Sequence, residues 1–164
     1  MVADVPEGPV EVGFSVRRGP DFVREDALPV VTQWPGAAGP ASGYVSVRAP
    51  GAPNIDIYDE LGALVLNLCF AAVADACRSG HGVASYFSEY GYVRLDVESH
   101  LVRVSGDGVA DVRFPGAPLL GGLLGCGARY LRWRSDLSGI ALEQFDTAHS
   151  EANEAFEQWR ARLG

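Results

Sequence analysis

Apolar and polar residues alternate along residues 92–97 and 101–105, a pattern typical of two strands that each bury one face. Ser99 and His100 lie between these segments and predict a two-residue hairpin turn. A shift of one residue would bury Arg94 together with other charged side chains, so the pattern also predicts the register. The predicted pairs are Val97 with Val102, Leu95 with Val104, and Asp96 with Arg103.

Shorter apolar segments predict further strands on both sides of this hairpin. They lie in a Pro- and Gly-rich region before the first helix and around the central hairpin. Trp34 begins a loop that continues to residue 40, and the sequence leaves open whether its ring covers the core or is exposed. The predicted strands are residues 10–16, 28–32, 44–47, 83–90 and 111–114, with an extended segment at 54–58.

Two apolar segments with helical periodicity predict helices that form the interior. Residues 59–78 carry apolar side chains on nearly every face, which predicts a central helix covered on most sides, with Asp56 or Asp59 near its start. Residues 118–134 begin with Pro118 and contain four glycines, each costing roughly 1 kcal/mol of helix propensity. This cost favours close approach of another backbone, and we expect the central helix to be that neighbour. The four glycines are Gly121, Gly122, Gly125 and Gly127.

The last predicted helix, residues 140–163, repeats its apolar residues every 3.5 positions, which predicts a narrow apolar stripe. The stripe either docks on its own domain or forms a seam with a second copy or a partner. His149 lies on the stripe, and a titratable ring there would make docking pH-sensitive. A homodimer would form through Leu142, Phe145, Ala152, Phe156 and Trp159. The opposite face carries Glu143, Asp146, Glu151, Glu154 and Glu157.

These elements predict an α+β fold: an antiparallel sheet with a central buried helix, a Gly-rich second helix and a long C-terminal amphipathic helix. A length of 164 residues fits one domain. We divide it into a Pro/Gly-rich strand region at 1–55, a helix–hairpin–helix core at 56–135 and the C-terminal helix at 136–164.

The charge balance narrows the class of partner. The formal net charge is −8, and all thirteen basic residues are arginines. A negatively charged surface repels phosphate, which disfavours nucleic acids and anionic membranes as partners. The same surface attracts a basic protein and accelerates encounter with it.

The sequence predicts a cytoplasmic protein without a membrane span. The longest apolar stretch, residues 61–74, is interrupted by Gly62 and Asn67 and is shorter than the roughly 20 residues that a span needs. The first residues include Asp4 and Glu7 and do not resemble a secretory signal.

No cofactor or metal ion is predicted. Cys69, Cys77 and Cys126 lie in predicted helices among apolar or small residues, outside CxxC spacing, and are interpreted as buried reduced thiols. No nearby residue in the sequence supplies the base that Cys126 would need as a nucleophile. Phosphate-cradling loops and the common hydrolase motifs are also missing, so we predict no catalytic residues.

The segment 83–92 is the most varied chemically, because it combines tyrosines with Glu89. Alternation places Tyr86, Ser88 and Tyr90 on one face. Tyrosines with a carboxylate suit either a ligand pocket or a protein-binding face, and a strand covered by the last helix is the third alternative. The candidate pocket lies beneath the Trp34 loop and is lined by Tyr86, Glu89 and Tyr90.

Two runs of residues are similar to small acidic immunity proteins of bacterial toxin systems. They are Asp-Ile-Tyr-Asp-Glu-Leu at 56–61, which leads into the apolar helix, and Tyr-Phe-Ser-Glu-Tyr-Gly-Tyr-Val-Arg-Leu at 86–95. The resemblance implies an α+β domain that blocks a cognate toxin by binding it. We therefore expect a non-enzymatic interaction module with a basic partner; a small-molecule binder or enzyme and an oligomeric scaffold are the alternatives. The predicted contact residues are Tyr86, Glu89, Tyr90, Tyr92, Glu143, Asp146, Glu151 and Glu154.

Overall fold

The computed structural model describes residue 2 and residues 8–34, 41–86 and 91–164. It contains two four-stranded antiparallel sheets and three long helices, which confirms the α+β prediction. The inner faces of both sheets and all three helices contribute to a single hydrophobic core.

Sheet 1 precedes the central helix and has the strand order β2-β1-β3-β4. Its strands are β1 (Glu11–Arg18), β2 (Asp21–Arg24), β3 (Ser42–Arg48) and β4 (Ile55–Glu60). The prediction of a strand at 28–32 is wrong, because the chain there passes into a short 3-10 helix at Val31–Gln33. Pro29 has no N–H to donate to a ladder, and its carbonyl accepts a hydrogen bond from Trp133 Nε1 at 2.9 Å.

Sheet 2 follows the central helix and has the strand order β5-β6-β7-β8. Its strands are β5 (His81–Tyr86), β6 (Gly91–Glu98), β7 (Leu101–Gly106) and β8 (Val112–Pro115). The predicted hairpin register is confirmed, with Leu95 opposite Val104, Val97 opposite Val102 and Asp96 opposite Arg103. Of the predicted strand 83–90, residues 87–90 lie outside the described part of the chain.

Three helices follow the predicted segments closely: α1 (Leu61–Ser79), α2 (Gly116–Trp133) and α3 (Gly139–Leu163). The middle of α1, Val65–Ala72, is π-helical, a wider winding than the α-helical turns on either side. The residue that caps α1 is Glu60, because its carboxylate accepts from the N–H groups of Gly62 and Ala63.

Small residues allow the helices and sheets to approach closely at three points. A Cβ atom at Gly127 of α2 would lie 2.6 Å from the Phe70 ring of α1, so the predicted approach to the central helix is confirmed at this glycine. A Cβ at Gly122 would instead meet Val12 of β1, at 2.7 Å. On the other side of α1, a Cβ at Gly82 of β5 would lie 2.0 Å from the carbonyl oxygen of Ala72.

Trp34 is part of the core, with 7 % of its surface exposed. Its ring packs edge-on against Trp133 with centroids 5.8 Å apart, and Trp133 in turn contacts Phe14 and Tyr130. This aromatic cluster joins the end of α2 to β1. The Trp34 ring therefore covers the core and is not exposed, which decides between the two alternatives that the sequence left open. Residues 35–40 of its loop lie outside the described part of the chain.

By length and composition alone, α1 passes the criterion for a membrane-spanning helix, with a mean hydropathy of 1.6 over 19 residues. The predicted apolar stretch 61–74 forms the first part of this longer helix. Within the fold, 67 % of the tested window is buried, as in the core helix of a soluble protein.

The free edge of β1 is closed by an ion pair in place of a strand. β2 pairs only with residues 15–18 of β1, so the earlier residues need other partners. Glu25 Oε2 accepts from the Phe14 N–H at 3.0 Å, and Arg129 Nη2 of α2 donates to the Val12 carbonyl at 2.7 Å. Glu25 and Arg129 also bond to each other, so this pair extends the ladder and ties α2 to sheet 1.

The ring of His149 in α3 docks against the core. Its ring packs on Phe70 with centroids 4.9 Å apart, and its Nε2 lies 3.0 Å from Asn153 Nδ2. Burial lowers the pKa of His149, and the nearby Asp146 carboxylate opposes this shift.

We expect this histidine to make the stability of the protein pH-dependent. Because the folded protein binds the proton less readily than the unfolded chain, the free energy of unfolding falls as pH drops below the ordinary pKa of about 6.5. The free energy of unfolding stops falling once the pH is below the pKa of His149 in the folded protein. Urea unfolding of wild type and His149→Gln from about pH 7.5 to about pH 5 measures this contribution. An unchanged pH dependence in the variant would contradict it.

Candidate interaction surface

The acidic residues of α3 form one continuous exposed face. Successive residues of an α-helix are rotated by about 100°, so the five side chains fall within an arc of about 140°. Their span of fourteen residues corresponds to about 21 Å along the helix axis. All five are exposed: Glu143, Asp146, Glu151, Glu154 and Glu157.

The acidic face points towards solvent because the opposite side of α3 is buried in the domain. Ala152, Ala155, Phe156 and Trp159 are buried, and their burial fixes the rotation of the helix about its axis. Phe156 lies over Gly121 of α2, where an added Cβ would come within 3.3 Å of the ring. The predicted apolar stripe therefore docks on its own domain along its second half.

Because part of the apolar stripe is already buried in its own domain, it is less accessible for the homodimer predicted through it. Three of the five proposed seam residues, Ala152, Phe156 and Trp159, are buried within the chain. Leu142 and Phe145 are only partly buried, and the neighbouring Ile140 is 85 % exposed. A dimer through all five residues would require α3 to leave its own domain.

Several acidic residues on or beside the sheets differ from those on α3 because arginines neutralise them. Within residues 8–34, 41–86 and 91–164, Glu143, Asp146, Glu151 and Glu154 form no ion pair, and Glu157 has only a 3.4 Å contact with Arg160. Glu11, Asp21, Asp26 and Asp75 are also exposed and form no ion pair within the described ranges, but each lies on a different element, whereas α3 carries four such acids on one face. The paired acids are Glu25 with Arg129, Asp56 with Arg48, Asp96 with Arg94 and His81, Glu98 with Arg113, Asp111 with Arg103, and Asp136 with Arg134.

Tyr86 and Tyr92, two of the tyrosines predicted as contact residues, do not share a face. Tyr86 is only 6 % exposed. Its ring packs directly against Gly91, in the space that a Cβ atom there would need, and its hydroxyl donates to the Asp107 carbonyl. Tyr92, across the hairpin, is 38 % exposed. Glu89 and Tyr90 lie outside the described residues, so only Tyr92 of this group is placed on the described surface.

The larger of two described clefts lies on the solvent-facing side of sheet 1 and has a volume of about 980 Å³. Gly13, Ser15 and Ser46 line it, and Phe22 stacks on Tyr44 at one side with centroids 4.8 Å apart. Arg48 and Asp56, which also line the cleft, are bonded to each other at 2.6 Å.

The smaller cleft, of about 430 Å³, lies where the start of α1, the end of α2 and the start of α3 meet. Its buried cation, Arg134, already donates from Nε and Nη2 to Asp136 and from Nη1 to the Tyr130 hydroxyl. Burial raises the pKa of Tyr130 to about 12, so this hydroxyl stays protonated at neutral pH. Of the residues predicted to line a ligand pocket, Tyr86 lines neither cleft, and Glu89 and Tyr90 lie outside the described residues.

No protein-family model matches the chain, and neither do any curated proteins or solved structures.

Side chains that could hold a metal ion do not converge in residues 8–34, 41–86 and 91–164, where no group of three or more His, Cys, Asp or Glu residues lies close enough together. Cys69, Cys77 and Cys126 are all buried and free.

Two functional features escaped the sequence analysis. The Glu25–Arg129 pair joins residues 104 positions apart, a separation at which no local pattern connects them. The aromatic patch of Phe22, Tyr44 and Tyr58 on sheet 1 was missed because β2 was not predicted. The Gly19-Pro20 turn after residues 10–16 was the available signal for β2.

Proposed function

We propose that the protein is a non-enzymatic interaction module that binds a basic protein through the acidic face of α3. The observation that supports this proposal is the grouping of five exposed acids on one face of α3, four of which form no ion pair within the described residues, whereas six acids outside α3 are paired with arginines. Exposed unpaired carboxylates lose little on binding, since they give up no internal ion pair. They also steer a basic partner towards the helix.

More specifically, we propose that the basic partner is a toxin and that the protein neutralises it by binding. It rests on the resemblance of residues 56–61 and 86–95 to small acidic immunity proteins, together with the net charge of −8. An inhibitor of this kind needs a rigid surface and no chemistry of its own. α3 meets the first requirement because its buried side is held by Phe156 and Trp159.

Neutralising four acids on α3 is the direct test. We expect the variant Glu143→Gln, Asp146→Asn, Glu151→Gln, Glu154→Gln to weaken binding of the natural partner about 30-fold, since exposed charge pairs contribute about 0.2–1 kcal/mol each. The partner is recovered from cells of the source organism by quantitative pull-down, and its affinity is then measured by calorimetry. Wild-type binding should weaken steeply with added salt.

The matched control neutralises four other exposed acids that form no ion pair within the described ranges 8–34, 41–86 and 91–164: Glu11, Asp21, Asp26 and Asp75. Both variants change the net charge equally, so a general charge effect would weaken both alike. Equal weakening, a partner that is not basic, or salt-independent affinity would refute the proposal.

A further inference from the structure

Two buried cysteines from different helices lie side by side in the core. Cys69 belongs to the π-helical part of α1 and Cys126 to α2, and neither has any exposed surface. The helices approach closely here, because a Cβ at Gly127 would lie only 3.1 Å from the Cβ of Cys69. The Cys69 thiol is also within hydrogen-bonding reach of the Cys126 thiol.

This neighbourhood stabilises the protonated thiol. The hydrogen bond with Cys126 and burial both raise the pKa of Cys69 well above its usual range, while the more distant Arg129 acts weakly in the opposite direction. Since the thiolate is the reactive form, exchange at this pair is slow in the closed fold and proceeds from transiently opened states.

We propose that Cys69 and Cys126 form an intramolecular disulfide when the protein meets a small disulfide oxidant such as oxidised glutathione. One cysteine thiolate attacks a sulfur of the oxidant and releases one glutathione, which gives a mixed disulfide. The second cysteine attacks the protein sulfur of that mixed disulfide and releases the second glutathione. Two thiols are oxidised and one oxidant disulfide is reduced, with both protons passing to the released thiolates.

The third cysteine supplies an internal control. Cys77 lies eight residues after Cys69 on the same helix, a rise of about 12 Å that prevents direct bonding between them. Burial raises the pKa of Cys77 to about 11, and Arg162 of α3 donates to its backbone carbonyl at 2.8 Å. The structure places no second cysteine sulfur beside it among the described residues.

The bond would join the helix that follows sheet 1 to the helix that follows sheet 2. It closes the long loop from residue 69 to residue 126, which contains β5 to β8. Closing a loop of this length restricts the unfolded chain, so the oxidised protein should melt about 5–10 °C higher than the reduced protein.

The test is incubation of the folded protein with oxidised glutathione, with and without a urea concentration below the unfolding transition. We expect a mass loss of about 2 Da, a non-reduced peptide that links residues 69 and 126, and faster reaction in urea. Cys77→Ala should react in the same way, whereas Cys69→Ala and Cys126→Ala should not form the bond. Peptide mapping of the wild type gives the answer even if a variant folds poorly.

Three results would overturn the proposal. They are recovery of only free thiols in both conditions, recovery of only glutathione adducts with a mass gain of about 305 Da each, and a crosslink that involves Cys77 as often as the other two. A crosslinked protein whose melting temperature equals that of the reduced form would refute the predicted stabilisation.

Discussion

Replacing Arg129 with alanine is expected to lower the free energy of unfolding by about 3 kcal/mol. The change leaves the Val12 carbonyl without its donor and the partly buried Glu25 carboxylate without its counter-ion. Removing one partner of such a pair costs more than the pair itself contributes, because the remaining groups keep their desolvation penalty. The pair also holds α2 on β1, so cooperative urea unfolding should report the whole loss.

Two further variants distinguish the effect of the Arg129 contacts with Glu25 and Val12 from the effects of its charge and of helix propensity. Arg132→Ala removes an exposed arginine from the same helix and should change stability by less than about 0.5 kcal/mol. Arg129→Lys keeps the charge but lacks the fork that reaches Glu25 and Val12 together, so we expect only partial recovery. Equal stability of Arg129→Ala and Arg132→Ala would contradict the assignment of Arg129 to the edge of β1.

The second large effect is expected at Gly82, where alanine should destabilise the fold by about 3 kcal/mol. The added Cβ would lie 2.0 Å from the Ala72 carbonyl oxygen and 2.8 Å from its carbonyl carbon. Backbone atoms of a buried helix cannot rotate away as a side chain can, so β5 and α1 would have to separate.

Val83→Ala is the matched control, because Val83 is the next residue of β5 and is 53 % exposed on the opposite face. Its effect should stay below about 1 kcal/mol. Thermal unfolding of both variants by calorimetry gives the comparison. A Gly82→Ala protein as stable as Val83→Ala would show that β5 does not rest on α1.

Strongly periodic segments were predictable because their pattern is set by burial on one face. For the 92–105 hairpin, only one register avoids burying Asp96 and Arg103. The last helix was equally clear, since its apolar stripe repeats over six turns. The predicted strand at residues 28–32 was wrong because a short apolar run fits a strand and a 3-10 turn alike, and Pro29 decides between them.

The candidate surface was predictable on α3 and not on the tyrosine-rich segment. On a helix, the buried Phe156 and Trp159 determine which way Glu154 points, so both faces follow from one periodicity. In the segment 83–92, Gly91 begins a new antiparallel strand, and the alternation counted from Tyr86 does not continue across it. Tyr86 therefore lies inside and Tyr92 outside, although an even count of residues separates them.

Mapping of backbone amide chemical shifts during titration with the natural basic partner tests the central claim most directly. Binding through α3 predicts shifts that concentrate on the exposed positions from Glu143 to Glu157 and leave Gly13, Ser15 and Ser46 of the sheet 1 cleft unchanged. Shifts centred on that cleft, with α3 unaffected, would contradict the account.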